Sequence, residues 1–124
     1  MIWRKNAALM ADFLNMCMAP VTGMAHKPEV SISTPESLKK GTTTTIILSV
    51  NHLGTGPEHY VDRVALYDGD KLLKEWTYGR DNYVKDRSWD LKHQCSLDRD
   101  ADLRAVVHCS DNAESSYGMK VNVK

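Results

Sequence analysis

The sequence predicts an all-β fold, a sandwich of seven antiparallel strands preceded by one α-helix. Two patterns carry this. From Glu29 onward apolar residues recur at every second position between polar turns, the period of a half-buried strand. Before Pro20 they recur at three and four, the period of one helix face. Composition agrees: 124 residues with 42% hydrophobic and 26% charged content make one ordinary globular domain, large enough to build a core without disulfides.

Trp3, Ala7, Met10, Leu14 and Cys17 form the helical stripe, so an amphipathic helix is expected over residues 3 to 18, closed by Pro20 and Gly23. Such a stripe packs on the domain or on a second subunit, and a homo-oligomer is expected. The competing reading is a degenerate leader, because Arg4-Lys5 precedes Ala7, Ala8, Leu9 and Met10. Asp12 and Asn15 interrupt its apolar run, and nothing there approaches the ~18 residues of a membrane span. The chain thus divides into a helix and linker, 1 to 23, and a strand domain, 24 to 124.

Glu29 to Ser33 is the first strand. Thr42 to Val50 is the second and is rich in β-branched residues. Ile46, Leu48 and Val50 share one face, and His52 continues it. His59 to Tyr67 is the third, Asp68-Gly69 signals a hairpin turn, and Lys71 to Tyr78 returns. Arg87 to Cys95 follows, then the polar turn Leu97 to Asp100, then Asp102 to Cys109. In that last strand Leu103, Ala105, Val107 and Cys109 alternate. Tyr117 to Val123 closes the chain, with Met119, Val121 and Val123 on one face. Seven short strands joined by polar turns suggest the immunoglobulin-like form of sandwich.

Charge and motifs exclude several classes. The formal net charge is zero, so neither nucleic acid nor a membrane surface is an expected partner. Trp76, Trp89 and Tyr60 read as packing residues, with no spacing for base stacking. No Gly-rich phosphate loop, nucleophile elbow or CxxC occurs, which removes support for common hydrolase, kinase and thioredoxin chemistry. Three cysteines allow one disulfide at most. Cys95 and Cys109 could form it, flanking a hairpin. The odd count and the interrupted leader-like stretch favour a cytoplasmic setting.

What remains is His26, His52, His59 and Cys109. Imidazole nitrogens with a thiolate suit iron, zinc or copper, and do not suit calcium or magnesium. The four are far apart in sequence, so only a fold gathers them. His52 and Cys109 each extend the apolar face of a strand, where a side chain reaches the mouth of a sandwich. The plainer reading makes each histidine a hydrogen-bonded surface or core residue, and Cys109 a small buried hydrophobe.

The stretch His59-Tyr60-Val61-Asp62-Arg63-Val64-Ala65-Leu66-Tyr67 resembles the superoxide reductase family, also called neelaredoxin or the iron domain of desulfoferrodoxin. That family has a Glu-His-aromatic stretch leading to Glu-Leu-Tyr. His26-Lys27-Pro28 is similar to its His-Val-Pro, and His52 to its His-Pro histidine. Cys109, with Glu114-Ser115-Ser116 and Met119-Lys120-Val121 after it, is similar to its C-terminal cysteine and last strand. The likeness runs from about residue 24 to 124 in the same order. It implies a mononuclear non-haem iron in a square of four histidines with an axial cysteine thiolate. It also implies reduction of superoxide to hydrogen peroxide, with electrons from a small redox protein such as rubredoxin.

Carried over residue by residue, His26, His52, His59 and Cys109 match as metal ligands. The fourth histidine does not. The family's Cys-Asn-x-His-Gly becomes Cys109-Ser110-Asp111-Asn112-Ala113, with Asn112 where a histidine belongs. His93, sharing a strand face with Cys95, could supply a fourth nitrogen, whereas His108 alternates to the face opposite Cys109. Met24-Ala25 replaces the family's Glu-Lys, so Lys27 becomes the expected catalytic cation that draws in the anion, with Arg63 as a further candidate. The gap from His52 to His59 is one residue longer, around Gly54-Thr55-Gly56. The second reading is a non-enzymatic relative that binds a metal for another purpose, or none, and mediates assembly. A sulfur-oxidation carrier subunit of similar sandwich form is a weaker variant of that reading.

Overall fold

A computed structural model describes residues 27–124. The helix expected over 3 to 18, its linker to 23, and His26 lie outside the described residues. Within them every helix or strand element is a strand: β1 (Glu29–Ser33), β2 (Ser37–Leu38), β3 (Thr43–Asn51), β4 (Val61–Asp68), β5 (Lys71–Thr77), β6 (Ser88–Ser96), β7 (Ala101–Cys109) and β8 (Glu114–Val123). They form two sheets, ordered β1-β3-β6 and β2-β8-β7-β4-β5. No helix of the described residues is long and apolar enough to cross a membrane.

The alternating stretches become the long strands because their apolar faces bury together. Ile46, Leu48 and Val50 of β3 face Val64 and Leu66 of β4 and Leu103, Ala105 and Val107 of β7, all at most 1% exposed. Glycine is needed at the β4–β5 hairpin, where Gly69 has a φ of 58°, as the Asp68-Gly69 pair predicts. Two bulges interrupt β4, one between Leu66 and Tyr67 and one between Val61 and Arg63.

Two expectations need correction. Among the described residues there are eight strands, because Ser37–Leu38 adds to the sheet, and it runs parallel to β8 rather than antiparallel. Residues 34–40 carry no alternation to reveal it. The pairing is made by backbone bonds from Asn122 N to Glu36 O and from Lys124 N to Leu38 O, both 2.9 Å, with Leu38 packed against the core. Second, Cys95 and Cys109 are both free thiols. The strands carrying them belong to different sheets, so no hairpin joins them. Cys95 faces Thr44 near the start of β3, and Cys109 faces Val61 at the start of β4, after the loop that leaves the far end of β3.

The core makes a direct prediction. Leu48 is fully buried at the centre of β3. Truncation to alanine should therefore lower unfolding free energy by about 2–5 kcal/mol, measured as a fall in the urea midpoint with unchanged slope.

Candidate metal centre

One end of the sandwich collects the chemistry. His52 follows β3 immediately and continues its buried face; it is 1% exposed, and its backbone N–H donates to Arg87 O at 2.9 Å. The loop then folds back on itself. Gly54 takes a φ of 74°, and Gly56 and His59 exchange two backbone bonds, of 2.7 and 3.0 Å, across Pro57-Glu58. This closed turn returns the His59 ring to within 4.5 Å of the His52 ring, centroid to centroid.

Cys109 ends β7 and is fully buried. Its N–H donates to Ala113 O, and its carbonyl accepts from Asn112 N, both at 2.8 Å. Asn112 sits at φ 74°, a left-handed conformation that asparagine tolerates better than most residues. Ser110 ties the two loops together. Its N–H donates to Tyr60 O at 2.8 Å, and its hydroxyl accepts from Tyr60 N at 3.1 Å.

The result is a cluster of donor atoms. Cys109 Sγ lies 3.4 Å from His52 Nε2 and 3.4 Å from His59 Nδ1, and one ligand atom from each residue lies within 4.8 Å of the others. Nitrogen and sulfur bond lengths of about 2.0–2.1 and 2.3 Å close a 3.4 Å side at roughly 100° about a shared ion. The donor set therefore fits a transition metal in both chemistry and spacing. His52 Nδ1 meets Thr55 Oγ1 at 2.9 Å, a contact that fixes the ring and directs Nε2 at the sulfur.

Electrostatics divide around the same atoms. Burial pushes the Cys109 thiol up. The Ala113 N–H, 3.0 Å from Asp111 Oδ1, is the main cause holding Asp111 below the ordinary carboxylate range, with smaller help from Cys109 and the two imidazoles. Asp111 Oδ2 also lies 3.3 Å from His59 Nδ1.

The other nominated residues lie outside this three-residue cluster. Lys27 is exposed just before β1, at the end of the sandwich where Glu29 faces Asn51. Arg63 is committed to Glu75 at 2.5 Å and to Tyr67 at 2.8 Å, beside His108. His93 faces Ile46, six residues before His52, so it is about 20 Å away along the strand at ~3.3 Å per residue and cannot complete this cluster. His108 turns from Cys109, as alternation predicts, and meets Asp62 at 2.6 Å. Asn112 is exposed on its turn.

Sequence reading missed Thr55, Asp111 and two cations. Lys85 and Arg87 line a cavity of about 270 Å³ with His52, Leu53, Gly54 and Thr55. Their signal was register: an antiparallel partner of β3 must bring its own start to the end that carries His52. Tyr83 of the same loop stacks on Tyr60 at 5.4 Å, which holds that loop against the His59 side.

A raised thiol pKa favours the neutral form in the fold. Without metal, its contribution to stability should be complete below the ordinary thiol value of 9.0 and fade as pH rises through the raised value. Urea midpoints of the metal-free protein and of Cys109→Ser should converge at alkaline pH. Parallel profiles would contradict this.

No protein-family model matches the chain, and no curated protein matches it. Solved structures do resemble it. A superoxide reductase (neelaredoxin) from Ignicoccus hospitalis aligns with a TM-score of 0.64 at 17% identity, covering 80% of this chain and 81% of that one. The CARDB domain of a Pyrococcus furiosus protein, solved in complex with di-metal ions, aligns at 0.59 and 17%, covering 79% and 93%. The sulfur carrier protein SoxY from Chlorobium limicola aligns at 0.54 and 11%, covering 77% and 78%. At these identities the likeness establishes a shared sandwich fold.

Proposed function

We propose that residues 24 to 124 form a mononuclear non-haem iron domain of superoxide-reductase type with an altered ligand shell, and that residues 1 to 23 stand outside this unit. The observation that carries the reading is the convergence of His52 Nε2, His59 Nδ1 and Cys109 Sγ. His26 is the proposed third imidazole. Ferrous iron bound there would supply the electron that superoxide takes up, with thiolate ligation raising its electron density. Overall, superoxide takes one electron and two protons to give hydrogen peroxide. A small redox protein of the rubredoxin kind would restore the electron, and solvent would supply the protons.

The chain's own residues prepare this chemistry. Thr55 orients His52. The buried Cys109 keeps water from the sulfur, so charge at the site is weakly screened. Lys85, Arg87 and Lys27 are exposed near this end and would attract an anion. A cytoplasmic setting, where thiols stay reduced, suits the free Cys95 and Cys109.

The second reading is a non-enzymatic metal-binding or assembly domain. Asn112 favours it, being exposed on a turn where the family resemblance calls for a fourth imidazole. The SoxY neighbour, of similar sandwich fold, is named as a sulfur carrier.

Iron chemistry separates the two. Full-length protein purified anaerobically should bind one ferrous ion and, once oxidised, show thiolate-to-ferric absorption in the visible. Cys109→Ser should abolish that band, and Asn112→His should tighten ferrous iron by about 10–100-fold. A protein that holds metal yet oxidises without the band, and leaves superoxide unreduced, belongs to the second reading.

The cations give an independent check. Lys85→Glu should slow the second-order reaction with superoxide and flatten its dependence on ionic strength, because it removes steering charge without touching a ligand. Equal rates and equal salt slopes in both proteins would remove Lys85 from this role.

A further inference from the structure

A sheet edge is a row of unpaired backbone donors and acceptors, and proteins blunt such edges with short strands, bulges, prolines or charge. Among the described residues this sandwich has four edges. β1 has five residues and follows directly on Pro28, and β2 has two. β5 carries Lys71, Lys74 and Glu75 and pairs through a bulge. β6 is different. It has nine residues, no proline, and an unbroken nine-pair ladder to β3, so it presents a long and regular edge.

Its inner face is also half finished. Val50, Leu48 and Ile46 of β3 are at most 1% exposed. Their ladder partners Trp89, Leu91 and His93 are only half-buried. The outer face of β6 carries Asp90 and Lys92, both exposed, with Asp90 accepting from Ser49 Oγ at 2.9 Å.

We propose that β6 pairs antiparallel with β6 of a second copy of this chain, about a two-fold axis through Leu91, so that two three-stranded sheets become one of six. This does not depend on the metal reading. The outward backbone groups of a strand sit on alternate residues, so a self-paired strand has its axis at a residue that faces itself. An axis at Asp90 would oppose two aspartates, and one at Lys92 two lysines. An axis at Leu91 sets Asp90 opposite the partner's Lys92, twice by symmetry. It also sets Leu91 opposite the partner's Leu91, and Trp89 opposite the partner's His93. Charge complementarity and burial thus select the same register. The interface is isologous, so it closes at two copies rather than growing into a filament.

Sedimentation or light scattering of the full chain over a dilution series tests this. The expected result is a monomer–dimer equilibrium. Lys92→Asp should raise its dissociation constant by about tenfold or more, since two attractive cross-strand contacts become repulsive. Asp90→Lys should act likewise, and the double variant Asp90→Lys/Lys92→Asp should recover the dimer. Both side chains are exposed, and unchanged urea midpoints at monomeric concentrations would show each variant folded. A chain that is monomeric at every concentration overturns the proposal. So does a dimer indifferent to the single substitutions, or one that the double variant fails to restore.

Discussion

The side-chain alternation of β3 is the constraint on which the rest of the molecule depends. Ile46, Leu48 and Val50 are buried on one face, and His52 inherits that face only because it stands two residues beyond Val50. A slip of one residue would turn the whole set outward. Burial of each such side chain is worth about 1.5–3 kcal/mol, against about 0.5–1.5 kcal/mol for a hydrogen bond such as that from Thr55. The core therefore sets the register, and the loop contacts refine a ring that is already aimed. β7 does the same for Cys109, with Leu103, Ala105 and Val107 below it.

The thiol and any cation beside it depend on one another. A buried sulfur resists ionisation when alone, which is the direction seen for Cys109. A bound divalent ion reverses that preference and draws the proton off. Asp111, near His59 and already held ionised, adds negative potential to the same corner. The positive groups stand further out, on the Lys85 to Arg87 segment. Negative charge thus lies close to the imidazoles and positive charge at the rim, an order suited to holding a cation while attracting an anion.

The strands, their faces and two of the candidate ligands were legible because period-two patterning survives in any antiparallel sheet. His59 could be nominated from its chemistry but not placed by alternation, since its position depends on the closed turn from Gly56 rather than on a strand face. β2 was hidden because two residues carry no pattern. The Cys95–Cys109 hairpin failed because successive strands β6 and β7 cross between sheets, which alternation does not encode. Lys27 and Arg63 were nominated as cations to replace the family's lysine, which Met24-Ala25 removes. Lys85 and Arg87 line a cavity with His52 just before β6 pairs with β3, and a bulge at the start of β4 accompanies the turn of Arg63 toward Glu75 and Tyr67.

The left-handed conformation of residue 112 has a genetic corollary. Histidine, like asparagine, is among the few non-glycine residues enriched there. Codons for asparagine and histidine differ by one base at the first position. Versions of this loop with asparagine and with an imidazole at residue 112 are thus neighbours in sequence space, joined by a single nucleotide change that asks for no rebuilding of the turn.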